Sequence, residues 1–196
     1  MAREIDEYRG KKFSGRSARL FREWEAIDEK LKNSTEISYI IRKRNAEGLP
    51  IVYEVIYNIE SFCNVSAPDE NGLQKPLKHN EFFLRINIPN NYPSVDSKLE
   101  FMFRTTDNFG KEIPHPWHPN IRFFGDFAGR VCLNTKAYGT FVDLAHYIER
   151  ITAYLRYDKY HAQNIPPFPE DTKVAEWVLT QAEPNGWIKE FVDSNL

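Results

Sequence analysis

FFLRINIPNNYPSVDSKLEFMF, residues 82–103, is the stretch whose pattern decides the fold. Phe82, Leu84, Ile86 and Ile88 take alternate positions, with Arg85 and Asn87 between them, and after a polar Tyr92-Pro93 turn Leu99, Phe101 and Phe103 alternate again. A period of two, apolar on one side and polar on the other, marks a half-buried β-strand. Two such strands joined by a short turn pair antiparallel.

Outward on the N-terminal side the same period recurs. Ile37, Tyr39 and Ile41 alternate, the AEGLP stretch from Ala46 to Pro50 turns the chain, and Ile51, Tyr53, Val55, Tyr57 and Ile59 alternate on the return, which predicts a hairpin. The polar connector from Ser66 to Asn80, with Pro and Gly, reads as a surface loop. The expectation is four consecutive strands in an antiparallel meander. Between Ser17 and Lys32 the period changes, and Leu20, Trp24, Ile27 and Leu31 recur at helical spacing, predicting an amphipathic helix laid on the sheet. Residues 1–14 (MAREIDEYRGKKFS) are polar and without period, and read as a flexible N-terminal arm ahead of a single domain over residues 15–190.

On the C-terminal side the pattern dissolves between residues 105 and 140, TTDNFGKEIPHPWHPNIRFFGDFAGRVCLNTKAYGT. A loop of that length in a compact domain is functional or disordered. Its aromatics argue for order, because Trp117, Phe123, Phe124, Phe127 and Tyr138 need packing partners. Helical period returns with Leu144, Ile148, Ile151 and Leu155. It returns again after PPFPED, where Asp171 or Thr172 can cap a last helix with Val174 and Val178 on one face. The predicted class is mixed α/β of the α+β kind: N-terminal helix, four-stranded meander, long active-site loop, C-terminal helices.

A chain of 196 residues can bury a real core, and its net charge of −2 supplies no global attraction to nucleic acid or anionic lipid. No run approaches the roughly 18 apolar residues of a membrane helix. Two cysteines without a CxxC pair, and no apolar leader after Met1, lead to the expectation of a reducing cytoplasm rather than a disulfide framework.

The chemistry centres on Cys132, which follows His118-Pro119-Asn120 inside HPNIRFFGDFAGRVCLN. A thiolate is a strong nucleophile and, at an ordinary thiol pKa of about 8.5, needs no dedicated base. Several arrangements stay open at this point. Cys132 could be a buried packing residue, the preferred reading for Cys63. It could pair with His118 as a cysteine hydrolase, or join His115 and His118 around zinc, although a closed zinc site wants four ligands. Prolines on both sides of His118 equally suit it to bracing a turn.

These segments resemble the ubiquitin-conjugating enzymes: INIPNNYPSVDSKLEF (Ile86 to Phe101) as strand, Tyr-Pro turn and strand; His118-Pro119-Asn120 as the HPN motif; Gly129-Arg130-Val131-Cys132-Leu133-Asn134 as the catalytic-cysteine segment. The resemblance runs from the first helix to PPFPED. It implies the UBC fold and a thioester relay without cofactor or metal. In that relay Cys132 accepts a ubiquitin-like modifier from an ATP-dependent activating enzyme and passes it to a lysine amine of a target protein. It further implies Asn120 as the oxyanion donor or as a brace of the active-site loop, His118 and Pro119 as structural, and Asn134, His161 and Asn164 on the active-site loop. Arg16, Arg19 and Arg22 on the first helix would face the activating enzyme, or form a solvated face. A non-catalytic module of the same fold, binding a ubiquitin-like modifier, is the rival reading alongside the hydrolase.

The chain also departs from the pattern. The Asn120-to-Cys132 interval is lengthened within RFFGDFAGR, Tyr138 replaces a usual Trp, and Ser94-Val95-Asp96-Ser97 lacks the apolar and proline residues that RING-type ligases use. The usual acidic residue near the cysteine would fall near Asn164 or Ile165. These departures, with the Glu183-Pro184-Asn185-Gly186-Trp187 ending, resemble a divergent bacterial branch that occurs in conjugation operons, some of them antiviral.

Overall fold

The computed structural model describes residues 3–94, 96–133 and 142–189; Asn134 and Tyr138 therefore lie outside the described residues. Helix α1, Gly15–Leu31, is followed by strands β1 (Ile37–Arg44), β2 (Pro50–Tyr57), β3 (Ser61–Val65), β4 (Pro76–His79), β5 (Phe82–Asn87) and β6 (Glu100–Phe103), then helices α2 (Leu144–Leu155) and α3 (Thr172–Trp177). The last helix widens into a π-helical turn over Val178–Ala182.

The main sheet runs β1-β2-β5-β6, antiparallel throughout, with Tyr53 opposite Ile86 and Ile86 opposite Phe101. The four strands of the expected meander are all present. Tyr53, Val55, Tyr57, Leu84, Ile86, Phe101 and Phe103 form its inner face against Leu20, Trp24 and Ile27 of α1 and Ile148 and Ile151 of α2. Burying that apolar surface is the main stabilising term.

Two expectations need correction. The Ser66–Asn80 connector is not wholly loop, because β4 pairs with β3 as a separate two-stranded sheet between β2 and β5. Neither strand buries alternate residues, and one begins at Pro76, so no period can be read. The N-terminal arm is also docked rather than loose. Residues Glu4–Glu7 form a 3-10 helix whose Ile5 is 1% exposed in the core, Arg3 pairs with Asp28, Arg44 Nη2 meets Glu4 at 2.6 Å, and the Tyr8 ring stands edge-on to Trp24. One apolar anchor held by ion pairs leaves no period to read.

A second cluster, Phe62, Trp117, Tyr157, Tyr160, Val174, Trp177 and Val178, packs the long segment and α3 beside the sheet. Trp117 and Phe123 join it as expected, whereas Phe124 and Phe127 remain 43% and 57% exposed. Phe124 still stands edge-on to Trp117 (5.8 Å) and Phe123 (5.0 Å), and each of the two exposed rings also meets a cation, Lys173 Nζ at 5.0 Å for Phe124 and the Arg130 guanidinium at 4.7 Å for Phe127.

Candidate active site

The lengthened segment between Asn120 and Cys132 folds into a hairpin with its own register. Ile121 bridges Val131, Arg122 N donates to Arg130 O (2.8 Å), Gly129 N donates to Arg122 O (2.7 Å), and Cys132 N donates to Asn120 O (2.9 Å). The residues between Arg122 and Gly129 form the tip, so Asn120 and Cys132 stay face to face at its mouth. The returning leg continues the main sheet: Val131 N donates to Phe101 O (2.9 Å) and Phe103 N donates to Gly129 O (2.8 Å). This close approach requires glycine. Gly129 has φ +91, and a Cβ there would lie 2.1 Å from Phe103 O.

Cys132 is partly exposed, and its carbonyl accepts the Tyr154 hydroxyl of α2 at 3.3 Å. Asn120 is also partly exposed. Its side-chain oxygen accepts His161 N at 2.9 Å, and no hydrogen bond among the described residues uses its Nδ2 donor. An amide donor is thus left over beside the thiol-bearing residue.

His118 is fully buried. Its Nδ1 accepts Asn120 N at 3.1 Å, which places the proton on Nε2, and Nε2 donates to Lys159 O at 3.1 Å. The ring stacks on Tyr154 at 4.9 Å. Burial drops its pKa to about 3, against a small opposing contribution from the Lys159 carbonyl. Both nitrogens are committed to holding the turn, so His118 can neither serve Cys132 as a base nor ligate zinc with His115 and Cys132. Pro119 is buried, and its carbonyl accepts Asp171 N at 3.0 Å.

His161 joins the site through its backbone, while its ring Nε2 closes the loop by donating to Ile165 O at 3.1 Å. Asn164 is exposed on that loop and makes no hydrogen bond among the described residues. Asn134 cannot be placed, since it lies outside them. Burial pushes the Cys63 thiol pKa up.

The three arginines of α1 do not share a role. Arg19 turns inward to the buried Glu23 (Nε to Oε1, 2.6 Å), also reaching Tyr92 Oη at 3.1 Å and Val142 O at 3.2 Å. Arg16 donates to Pro89 O at 3.2 Å, and its Nε is buried without a partner. Arg22 alone of the three is openly exposed. The expectation of one basic face therefore reduces to Arg22. For Arg19 the reason is Glu23, a 1% exposed carboxylate that also takes Leu144 N (2.7 Å) and the Tyr92 hydroxyl, and that needs a cation.

The sequence pattern missed Glu170 and the second function of Asp171. Glu170 Oε1 receives Arg130 Nε (2.9 Å), Arg130 Nη2 (2.7 Å) and Arg122 Nε (3.4 Å), one arginine from each leg of the hairpin. Asp171 caps α3 with Oδ1 and holds Phe123 N and Phe124 N with Oδ2. Only the capping signal was readable. Among the described residues no helix is long and apolar enough to cross a membrane.

No protein-family profile and no curated protein matches the chain. In structure it is similar to a Plasmodium yoelii protein assigned as a ubiquitin conjugating enzyme, with 22% identity, 86% of this chain and 87% of that chain covered, and a TM-score of 0.50. It is also similar to the H. polymorpha ubiquitin conjugating enzyme Pex4p, solved with the soluble domain of Pex22p, with 16% identity, 85% and 88% covered, and a TM-score of 0.50. Likeness at these identities shows the fold: the chain has the UBC fold.

Proposed function

We propose that the protein is a ubiquitin-conjugating-type cysteine acyltransferase. Cys132 carries a ubiquitin-like modifier as a thioester, received from an ATP-dependent activating enzyme, and passes it to a lysine amine of a target protein. The observation that carries this reading is the hairpin that keeps Cys132 N on Asn120 O at 2.9 Å despite the inserted residues, within a UBC fold. A chain serving only as a binding module has no need of that juxtaposition. The hydrolase reading loses its base, because both His118 nitrogens are engaged.

In the first half-reaction the Cys132 thiolate attacks the modifier's activated C-terminal carbonyl and the activating enzyme's thiol leaves. In the second a deprotonated lysine amine attacks the thioester carbonyl, negative charge develops on its oxygen, and the Cys132 thiolate is expelled. Asn120 Nδ2 donates to that oxygen, a contribution of about 3 kcal/mol for one such donor. By resemblance, the motif departures support a setting like that of the divergent bacterial branch, whose conjugation operons are in some cases antiviral, and two cysteines without a CxxC pair support a reducing cytoplasm.

The test is incubation with ubiquitin or another ubiquitin-like protein, together with its activating enzyme and ATP. A thiol-sensitive adduct on wild type, an oxyester on Cys132→Ser, none on Cys132→Ala and normal loading of Cys63→Ala are expected. Loading of Cys132→Ala refutes the proposal, binding without adduct favours the module, and cleavage of a conjugate favours the hydrolase.

A further inference from the structure

We infer that Asp171 is a positioning residue for the transfer step, setting the place of Asn120 by holding the backbone on both sides of it. This rests on the reading of Cys132 as a thioester carrier. Asp171 is 3% exposed. Its own N–H donates to Pro119 O at 3.0 Å, immediately before Asn120. Its Oδ2 accepts Phe123 N at 2.9 Å and Phe124 N at 3.3 Å, just after Asn120. The remaining oxygen, Oδ1, accepts Lys173 N (3.1 Å) and Val174 N (3.2 Å) at the start of α3.

Capping a helix needs only one acceptor oxygen, and Ser, Thr or Asn serves as well as Asp. The second oxygen is surplus to that need, and it satisfies two amides of the hairpin's outgoing leg. A buried carboxylate accepting four N–H groups makes charge-assisted bonds, stronger than neutral ones. Glu170 fastens the same hairpin through Arg130 and Arg122, so consecutive residues grip both legs of the structure whose mouth holds Asn120 and Cys132. Loading depends on the thiolate of Cys132. Transfer depends in addition on where Asn120 Nδ2 sits relative to the developing oxyanion, and a misplacement of about 1 Å costs on the order of a hundredfold.

Asp171→Asn separates the two functions. An asparagine retains one acceptor for the cap, but its NH2 then faces the Phe123 and Phe124 N–H groups, donor against donor, and the leg moves away. The experiment loads full-length wild type and D171N with ubiquitin, activating enzyme and ATP, then chases the purified thioester with free lysine over a range of concentrations. Alongside it, unfolding midpoints and amide exchange at Phe123 and Phe124 are measured.

D171N is expected to stay folded with a lowered unfolding midpoint, load at the wild-type rate, and exchange faster at the two amides. Its discharge should be roughly tenfold to a hundredfold slower, with an unchanged dependence on lysine concentration. Wild-type discharge by D171N overturns the inference, as does equal slowing of loading and discharge, which signals general structural loss. Should D171N unfold, Asp171→Ser keeps a capping hydroxyl without the second oxygen and carries the same comparison. A wild type that forms no thiol-sensitive adduct removes the carrier reading itself, an outcome seen before any substitution is made.

Discussion

The carbonyl of Phe103 occupies the space that a side chain on Gly129 would need, 2.1 Å from where its Cβ would be, while Phe103 N donates to Gly129 O at 2.8 Å. This contact joins the returning leg of the active-site hairpin to β6. Because the obstructing atom is backbone, it cannot swing aside as a flexible side chain would.

Gly129→Ala should therefore be severely destabilising. It combines a left-handed backbone, worth about 1–2 kcal/mol, with a clash relieved only by parting the hairpin from β6. Gly125, at φ +81 with open space around it, is the matched control, and Gly125→Ala should cost only the backbone term. Urea unfolding of both variants measures the difference. Equal midpoints would show that the hairpin stands off β6 in solution.

Asn120 offers a substitution that separates donor from brace. Asn120→Asp retains an acceptor for His161 N, bonded at 2.9 Å in the native chain, and loses the Nδ2 donor. Both Asn120→Asp and Asn120→Ala should load normally and discharge to lysine on the order of a hundredfold more slowly. If Asn120→Asp discharges like wild type while Asn120→Ala does not, the residue acts as a brace.

His118 makes stability depend on acid. Its folded pKa of about 3 lies below the unfolded value of about 6.5, so the unfolded chain binds the extra proton between them, and stability falls as pH drops through that window. The slope from this group is about 1.4 kcal/mol per pH unit, and it vanishes above the unfolded pKa. His118→Asn should be less stable at pH 7 and show a shallower decline from pH 6 to pH 4. Unfolding free energies across that range test the sign, and parallel curves would contradict it.

The arginines of α1 should divide by environment. Arg22→Glu is expected to fold normally and to slow loading from the activating enzyme at low salt, an effect that fades as salt is raised. Arg19→Glu places a second carboxylate against the buried Glu23 and should cost about 3–5 kcal/mol whatever the partner. Thermal melts and loading rates on both variants separate the cases. Unchanged loading of Arg22→Glu in low salt would make that arginine a solvated residue and nothing more.

The strands of the main sheet and both principal helices could be read from sequence because each buries one regular face, as at Tyr53, Val55 and Tyr57 or Leu20, Trp24 and Ile27. Where burial is irregular the pattern is silent. Ile5 is a single anchor, and β3 and β4 bury no alternating face. At the site, His118, Asn120 and Cys132 were visible as a motif, and the structure assembles them. What could not be read was which charges turn inward. Arg19 and Arg22 look alike in a helical projection, and only the burial of Glu23 distinguishes them. The second oxygen of Asp171 was equally hidden, since its partners lie in a distant loop and are backbone amides that every residue type carries.

A hairpin that leaves and rejoins the body at neighbouring backbone positions separates length from position. Between the paired Arg122 and Arg130, the chain can be lengthened at Gly125 and Asp126, both exposed, without altering the span from Asn120 to Cys132. That makes the tip a graft point for a fluorophore or an epitope, a reporter site on the same hairpin as the thiol-bearing residue but at its far end.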